Sequence, residues 1–494
     1  MEENINPIYP VPENKPVVIY FPAGKKEAVL ALGMGLGGVL LVNSVLFGGF
    51  YLGFALAAVL ILAVTAAYLL SRGHKLAPYT GTLLALSVVI ALGFMRSNDG
   101  FVKFVLLVFL LIAGNLAFCL LTRQNKRHPG RFSSLLDGPR VVFTLALGQM
   151  PQALRGLKVA AKNSGRAGKV GGGLIAGIAI AVPLLAVVIA LLVRADAAFD
   201  GLVQLLPKVQ FKEILATLFF GAVAAAVLYS RGAALHHTPV ENPAAKEKKG
   251  VYALTVNTVL VALDLVYLVY LFSQLAYFTG GLAGILPAEF TMAEYARRGF
   301  FEMAWLCAIN LAVVAIAAGI TARKGEKLPL LTRLTCLFIS LVTLFFVVSA
   351  SAKMGMYIGS YGLTRLRLLT EVIMVFLGIT TGLVAVWLFV PGFAYMKAVV
   401  LVALIMGAAV LWADVDTVVA AYNVSAWEAG ALETVDVSYL ASLSDGAVPY
   451  IARLAEKGNP IAQRTLAEME QTCWVDFRDW NIASWIAQNL LSGR

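Results

Sequence analysis

Apolar residues run through this chain in long blocks, not in the alternation of a half-buried strand or the single stripe of a surface helix. Crossing hydrocarbon takes roughly 20 mostly apolar residues, because the backbone must satisfy its own hydrogen bonds there and helical rise is fixed. Eleven blocks meet that test: Ala28 to Phe47, Tyr51 to Leu70, Tyr79 to Phe94, Phe101 to Leu121, Gly171 to Val193, Ile214 to Leu228, Leu254 to Phe278, Phe300 to Ile320, Leu331 to Val348, Leu369 to Val390 and Met396 to Trp412. The pattern predicts an all-α polytopic membrane protein of about 11 transmembrane helices.

Composition agrees and removes other classes. Of 494 residues, 60% are hydrophobic and 14% charged, where a soluble protein carries about 25% charged residues. Disorder, a collagen-like fibre and a disulfide scaffold are excluded by the low charge, the lack of a glycine period and a count of 4 Cys.

Basic residues are retained on the cytoplasmic side during insertion. With the N-terminus inside, 24 Lys and Arg fall in cytoplasmic segments and 10 in short outer ones, so the N-terminus is expected inside and the C-terminus outside. The division that follows is a Pro-rich cytoplasmic tail (1–27), a four-helix membrane region (28–121), a basic cytoplasmic loop (122–170), a seven-helix membrane region (171–412) and an acidic helical extracytoplasmic domain (413–494). The tail has no apolar core, so no cleavable signal peptide is expected.

Charge is divided unevenly. From Ala413 to Arg494, eleven acidic residues face five basic ones, leaving that region at −6 and the rest at +17 within an overall +11. The basic excess fits anchoring beside anionic headgroups, so membrane lipids are expected partners and nucleic acid is not. In the large loop, the stretch from Asp137 to Lys162 sets Arg155, Lys158 and Lys162 at helical spacing beside Leu154, Leu157 and Ala161, predicting a helix lying on the membrane that Pro151 divides into two short pieces. It reads either as a topological anchor or as a lipid-regulated or partner-binding surface. In the last region, Ser444-Asp445 and Asn459-Pro460 are helix starts, and Ile482, Ile486, Leu490 and Leu491 stripe a final helix. A region this small is expected to dock on the outer ends of the spans.

Gly33-Met34-Gly35-Leu36-Gly37-Gly38 matches the glycine spacing of a dinucleotide loop but lies inside an apolar block, so Gly33 and Gly37 read as a helix-packing face. Lys169 to Gly173 lacks the core of a phosphate loop. His236 and His237 with Glu241 lack the one-turn spacing of metal ligands, and no hydrolase motif appears. No cofactor, metal site or catalytic residue is predicted.

Asp264 falls near the middle of the seventh block, where an ionised carboxylate costs several kcal/mol unless paired, protonated or hydrated. Asn115, Asn257, Gln274 and Asn310 are intramembrane polar residues able to share a cluster with it. A proton or cation coupling site and a packing hydrogen bond are both open readings. A second anomaly is positive charge on the outer side: Arg297 and Arg298 in Tyr295 to Glu302, and Lys353, Arg365 and Arg367 in the outer loop before the tenth block. Paired arginines bind carboxylate or phosphate bidentately, but Asp414, Asp416, Asp436 or Asp445 of the acidic region are equally able to occupy them.

At these places the sequence resembles a family of bacterial membrane proteins known as a domain of unknown function, DUF4173, related to DUF4153. The matching pieces are Tyr295 to Glu302, Tyr361 to Glu371, Ala421 to Val424, Asp436 to Tyr450 and Asp479 to Asn481, in order along the C-terminal part of the chain. The resemblance implies a many-span bacterial inner-membrane protein with an outer C-terminal region, and no reaction.

The sequence therefore points first to binding. A surface made by Tyr295, Arg297, Arg298, Glu302, Tyr361, Arg365, Arg367 and Glu371 is expected to recognise an anionic envelope component or a membrane partner protein. The alternative is a proton- or cation-coupled secondary transporter using Asp264, with a wet route to it from one face. The third is an enzyme on a lipid-linked substrate with Glu302, Glu371, Asp414 or Asp416 as acid or base.

Overall fold

The computed structural model describes residues 20–96, 99–125, 132–163, 188, 192, 211–238, 251–282, 300–321, 328–390, 392–472 and 480–493. The expected fifth span, apart from the helical residues Val188 and Leu192, lies outside them, as do Tyr295, Arg297, Arg298, Glu241 and Cys473. The protein is an all-α polytopic membrane protein. Nine helices among the described residues are long and apolar enough to cross a membrane.

In chain order these are α1 (Lys25–Asn43), continued by a wider π turn at Ser44–Gly48, α2 (Leu52–Ser71), α4 (Gly100–Leu121), α6 (Phe211–His237), α7 (Ala253–Leu282), α8 (Phe300–Ile320), α9 (Leu330–Tyr361), α10 (Arg365–Phe389) and α11 (Tyr395–Ala413). A shorter apolar helix, α3 (Pro78–Gly93), precedes α4, and α5 (Met150–Asn163) is an amphipathic helix before α6. After α11 come α12 (Val415–Glu428), α13 (Val437–Ala441), α14 (Val448–Glu456), α15 (Pro460–Thr472) and α16 (Ile482–Ser492).

Two sequence expectations change. α9 is 32 residues long and does not stop at Val348; at about 1.5 Å per residue it measures roughly 48 Å, more than the apolar slab needs. Its last turns are polar but contain no proline, so hydropathy ends before the helix does. Lys353 therefore stands on α9, Arg365 and Arg367 stand in the first turn of α10, and the outer loop shrinks to Gly362, Leu363 and Thr364. The stretch from Asp137 to Lys162 is, as expected, in two helical pieces, one over residues 137–146 and then α5, with Pro151 in the first turn of α5, where its missing N–H costs nothing. A helix not anticipated, α12, follows α11 after the single residue Asp414, whose φ of 60° turns the chain sharply.

The chain forms two compact units. The first comprises Met1–Val39, Val64–Gly73 and Val141–Pro239, and the second Leu40–Ala63, His74–Arg140 and Val240–Arg494. In the first, the glycine run of α1 is a packing face. A Cβ at Gly38 would lie 2.7 Å from the backbone nitrogen of Ala225 and 2.8 Å from the carbonyl of Gly221 on α6, so only glycine lets these helices approach. Gly33 packs likewise against Val64 of α2.

In the second unit, α3 packs on α4 and α11, and α8, α9 and α10 pack side by side with α7 against α9. The core here is Phe300, Cys307, Ile339, Phe346 and Met374 with their neighbours. The opposite flank of α7 exposes Leu265, Val266, Val269 and Phe272. In water such a stripe would demand a partner; in a bilayer, lipid covers it. Helices α12 to α16 belong to this unit and close one end of its spans: Trp480 accepts the Leu52 N–H and Met95 accepts the Ile482 N–H at 2.8 Å.

Candidate functional site

At the end covered by α12 to α16, the loop after α9 and the start of α10 are gripped from several sides. Gly362 adopts φ 75°, and a Cβ there would meet Asn423 Oδ1 at 2.7 Å. Asn423, on α12, holds both backbone groups of Leu363: its Oδ1 accepts the N–H at 2.6 Å and its Nδ2 donates to the carbonyl at 2.8 Å. Thr364 caps α10 by accepting the Arg367 N–H, and Tyr439 Oη accepts the Arg365 N–H at 3.0 Å.

The Arg365 side chain makes a two-pronged ion pair with Asp416, its Nη2 2.6 Å from Oδ2, and Asp99 Oδ2 stands 3.7 Å from its Nε. Asp416 is fully buried and also accepts the Ser444 N–H at 2.8 Å. Burial alone would push its carboxyl upward, but the hydrogen bonds from Arg365 and Ser444 outweigh it and hold the group below the usual carboxylate range. Asp99 caps α4 by accepting the Val102 N–H at 3.0 Å. Buried Lys103 lies 3.8 Å over the Tyr51 ring, with Asp414 and Asp99 as charged neighbours.

Arg367 turns back on the end of α9, donating to the carbonyls of Tyr361, at 3.1 Å, and Gly362, with its guanidinium 4.1 Å over the Tyr357 ring. This is helix C-capping by a cation. Asp414 Oδ2 accepts from Thr417, and Asp445 accepts from Ser484, whose N–H is capped by Asn481.

Of the eight residues expected to form an anion-binding surface, the structure brings Tyr361, Arg365 and Arg367 together, with Tyr361 exposed. Arg365 engages Nε and Nη2 and Arg367 engages Nη1 within the chain. Of the four acidic residues expected to be able to occupy the arginines, Asp416 pairs with Arg365. Glu302 stands exposed in the first turn of α8. Glu371 is half-buried one turn below Arg367, hydrogen-bonded to Ser351 with Oε1 unengaged.

The second cluster lies within the spans. Tyr267 Oη on α7 donates to Asn310 Oδ1 on α8, Asn310 Nδ2 donates to Thr343 Oγ1 on α9 at 3.0 Å, and Thr343 donates to the Ile339 carbonyl. Cys307 Sγ points at the Thr343 carbonyl, and one end of the bundle is tied by Thr332 Oγ1 donating to Asn257 Oδ1 at 2.7 Å. Asp264, half-buried on the same side of α7 as Tyr267, has a buried Oδ1 with no hydrogen-bond partner, and its charge bears on Tyr267 and Cys336.

The expected polar cluster is thus partly regrouped. Asn310 and Asn257 bond to Tyr267 and Thr332, not to Asp264, and Asn115 donates to the Leu111 carbonyl of its own helix at 2.7 Å. The side chain of Gln274 lies outside the described residues. Tyr267, Thr332 and Thr343 were missed because threonine and tyrosine in an apolar block look like filler; the signal was Tyr267 three residues after Asp264, on one helix face.

The first unit has its own buried charge. Glu27 accepts from Tyr68 Oη at 2.8 Å and from the Gly24 N–H at 2.9 Å, and pairs with Arg72, while His237 Nε2 stands 3.7 Å away. Glu27, beside Lys25 and Lys26, is buried at 1% exposure because α2 and α6 end around it. His236 lies edge-on to Tyr68. Among the described residues no group of three His, Cys, Asp or Glu side chains is arranged to hold a metal.

Residues 83–454 match a family model described as Domain of unknown function (DUF4153). The matched stretch runs from α3 to α14, so it contains Asp264, Arg365 and Asp416. No curated protein and no solved structure matches the chain.

Proposed function

The chain belongs to the DUF4153 family, and from that premise we propose that it is a coupled membrane transporter that takes up a proton or small cation at Asp264. The observation that carries this reading is the buried Oδ1 of a mid-span carboxylate with no donor, beside hydroxyl and amide groups already bonded to one another. An ionised carboxylate in that setting costs several kcal/mol, and a bound proton or cation relieves it. The rival, an anionic envelope ligand or membrane partner on the outer face, keeps Arg297 and Arg298 but competes with the bonds that Arg365 and Arg367 make within the chain. The enzyme reading loses Asp416, which is buried and bonded to Arg365.

Eleven spans with the N-terminus inside remain our proposal for topology, in the cytoplasmic membrane of a bacterium. Parity supports it. The Asp99–Arg365 contact sets the start of α4 beside the start of α10, while the Asn257–Thr332 bond pairs the starts of α7 and α9. Because α9 ends where α10 begins, α4 ends and α7 starts at the same end of their unit, and an even number of crossings separates them. The apolar helix α6 supplies one; by sequence, Gly171 to Val193 supplies the other.

The test is labelling of the full-length protein in native membranes with dicyclohexylcarbodiimide, which reacts with protonated carboxyls in apolar surroundings, read by peptide mass spectrometry. Asp264 is expected to be modified, with modification falling as pH rises from 5 to 9 or as sodium is added, and Asp264→Asn to abolish it. Labelling at Asp264 that ignores both pH and sodium would mean a sealed packing residue and would end this proposal.

A further inference from the structure

We propose that α5, with the turn before it, is a binding surface for the headgroups of anionic phospholipids in the membrane the chain spans. This inference is independent of Asp264. Three observations converge on it. The first is position: Ser230 Oγ of α6 donates to the Ala146 carbonyl at 2.6 Å, the Phe21 N–H donates to the Gln152 carbonyl, and Gly156 packs on the Phe21 carbonyl. Phe21 in turn stacks on His237 with ring centroids 5.2 Å apart. The helix is therefore fixed across the end of its unit where α1 begins and α6 finishes.

The second is charge. With Ala153 and Gly156 turned inward, Arg155, Lys158 and Lys162 are exposed at three- and four-residue steps, which sets three cations along one edge. Exposed Lys25, at the start of α1, adds a fourth at the same end. No acidic residue occurs from Val141 to Ala195. The third is the apolar company these cations keep: Phe143 is 68% exposed, Leu147 46% and Leu154 37%. Large apolar side chains in the open beside a row of cations suit one environment, the boundary between headgroups and acyl chains. Phosphate-bearing headgroups with net negative charge complement the basic edge, whereas zwitterionic headgroups offer no net attraction.

The experiment is native mass spectrometry of the full-length protein, stripped of lipid in detergent and titrated with dioleoylphosphatidylglycerol or dioleoylphosphatidylcholine. The wild type is expected to retain the anionic lipid at least tenfold better. R155Q/K158Q/K162Q should lose most of that preference, while R155K/K158R/K162R keeps it. R453Q/K457Q/R464Q removes equal charge from α14, its following turn and α15, and should leave the preference unchanged. Melting without lipid should be alike in the wild type and the two α5 variants, since the inward face of α5 is untouched. Equal retention of the two lipids by wild type, an unaffected glutamine variant, or an equal loss in the α14–α15 control would each overturn the proposal.

Discussion

Replacing Asp416 by Asn keeps the shape of the side chain but removes the charge facing Arg365. The new amide accepts the Ser444 N–H as before, yet it points an NH2 group at a guanidinium, and only Asp99, at 3.7 Å, remains to balance it. Breaking a buried pair by removing one partner costs about 3–5 kcal/mol. Arg365 retains partial access to water, with 39% of its side chain exposed, which moves the expected cost to about 2–3 kcal/mol. The loss should be local, loosening α12 to α16 from the ends of α2, α3 and α10 while the spans stay folded. Hydrogen exchange reads it directly: amides from Ser444 through α14 should exchange about 30- to 150-fold faster, at 1.36 kcal/mol per factor of ten. Arg365→Met should do the same, and the double variant should be much less than additive. The pH dependence has a definite sign. Because the folded pKa of Asp416 lies below its unfolded value, its charge-linked contribution is fully present above the unfolded value and is lost as pH falls through the folded one. After correction for intrinsic exchange, protection should therefore drop on acidification below roughly pH 4 in the wild type and stay flat in the variant. Exchange within threefold of wild type in Asp416→Asn, or additive single and double variants, would refute the view that this pair fastens the C-terminal helices.

Other outcomes follow from the same geometry. Gly362→Ala should cost about 1–3 kcal/mol, from φ 75° and the crowding of Asn423, and should raise exchange at Leu363; unchanged protection there would count against the packing described. Asn423→Leu removes both hydrogen bonds to Leu363 and should cost about 2–4 kcal/mol, read as a lower melting temperature in detergent. Glu27→Gln keeps the Tyr68 contact but leaves Arg72 without its anion, and should cost about 2–4 kcal/mol, again by melting; a variant melting with the wild type would show the charge to be dispensable. Thr343→Val should destabilise by about 1–2 kcal/mol by stranding the Asn310 amide.

The role of the outer arginines was not legible before folding. In the sequence, Arg365 and Arg367 are two cations on the wrong side of a membrane, and a ligand accounts for them as well as a protein carboxylate does. Choosing Asp416 over Asp414, Asp436 and Asp445 needs the sharp turn at Asp414, which starts α12 and aims Asp416 at the head of α10. Likewise the pieces around Tyr361, Ala421, Asp436 and Asn481 are far apart in sequence, and only the fold shows that they fasten one end of one unit.

Features that depend on solvent were legible in the residues alone. Most span positions, the all-α class, the amphipathic α5 and the helix starts at Ser444-Asp445 and Asn459-Pro460 follow from hydropathy, backbone hydrogen bonding in lipid and capping chemistry, all of which act over a few residues. Helix packing chose which polar groups meet. Asp264 has a buried Oδ1 without a donor while Tyr267, Asn310 and Thr343 bond to one another, and Glu27, between lysines and an apolar block, is buried among Tyr68, Arg72 and His237. Hydropathy is a property of single residues averaged along the chain. A hydrogen bond or an ion pair belongs to two residues brought within about 3 Å, and that proximity is set by how helices pack.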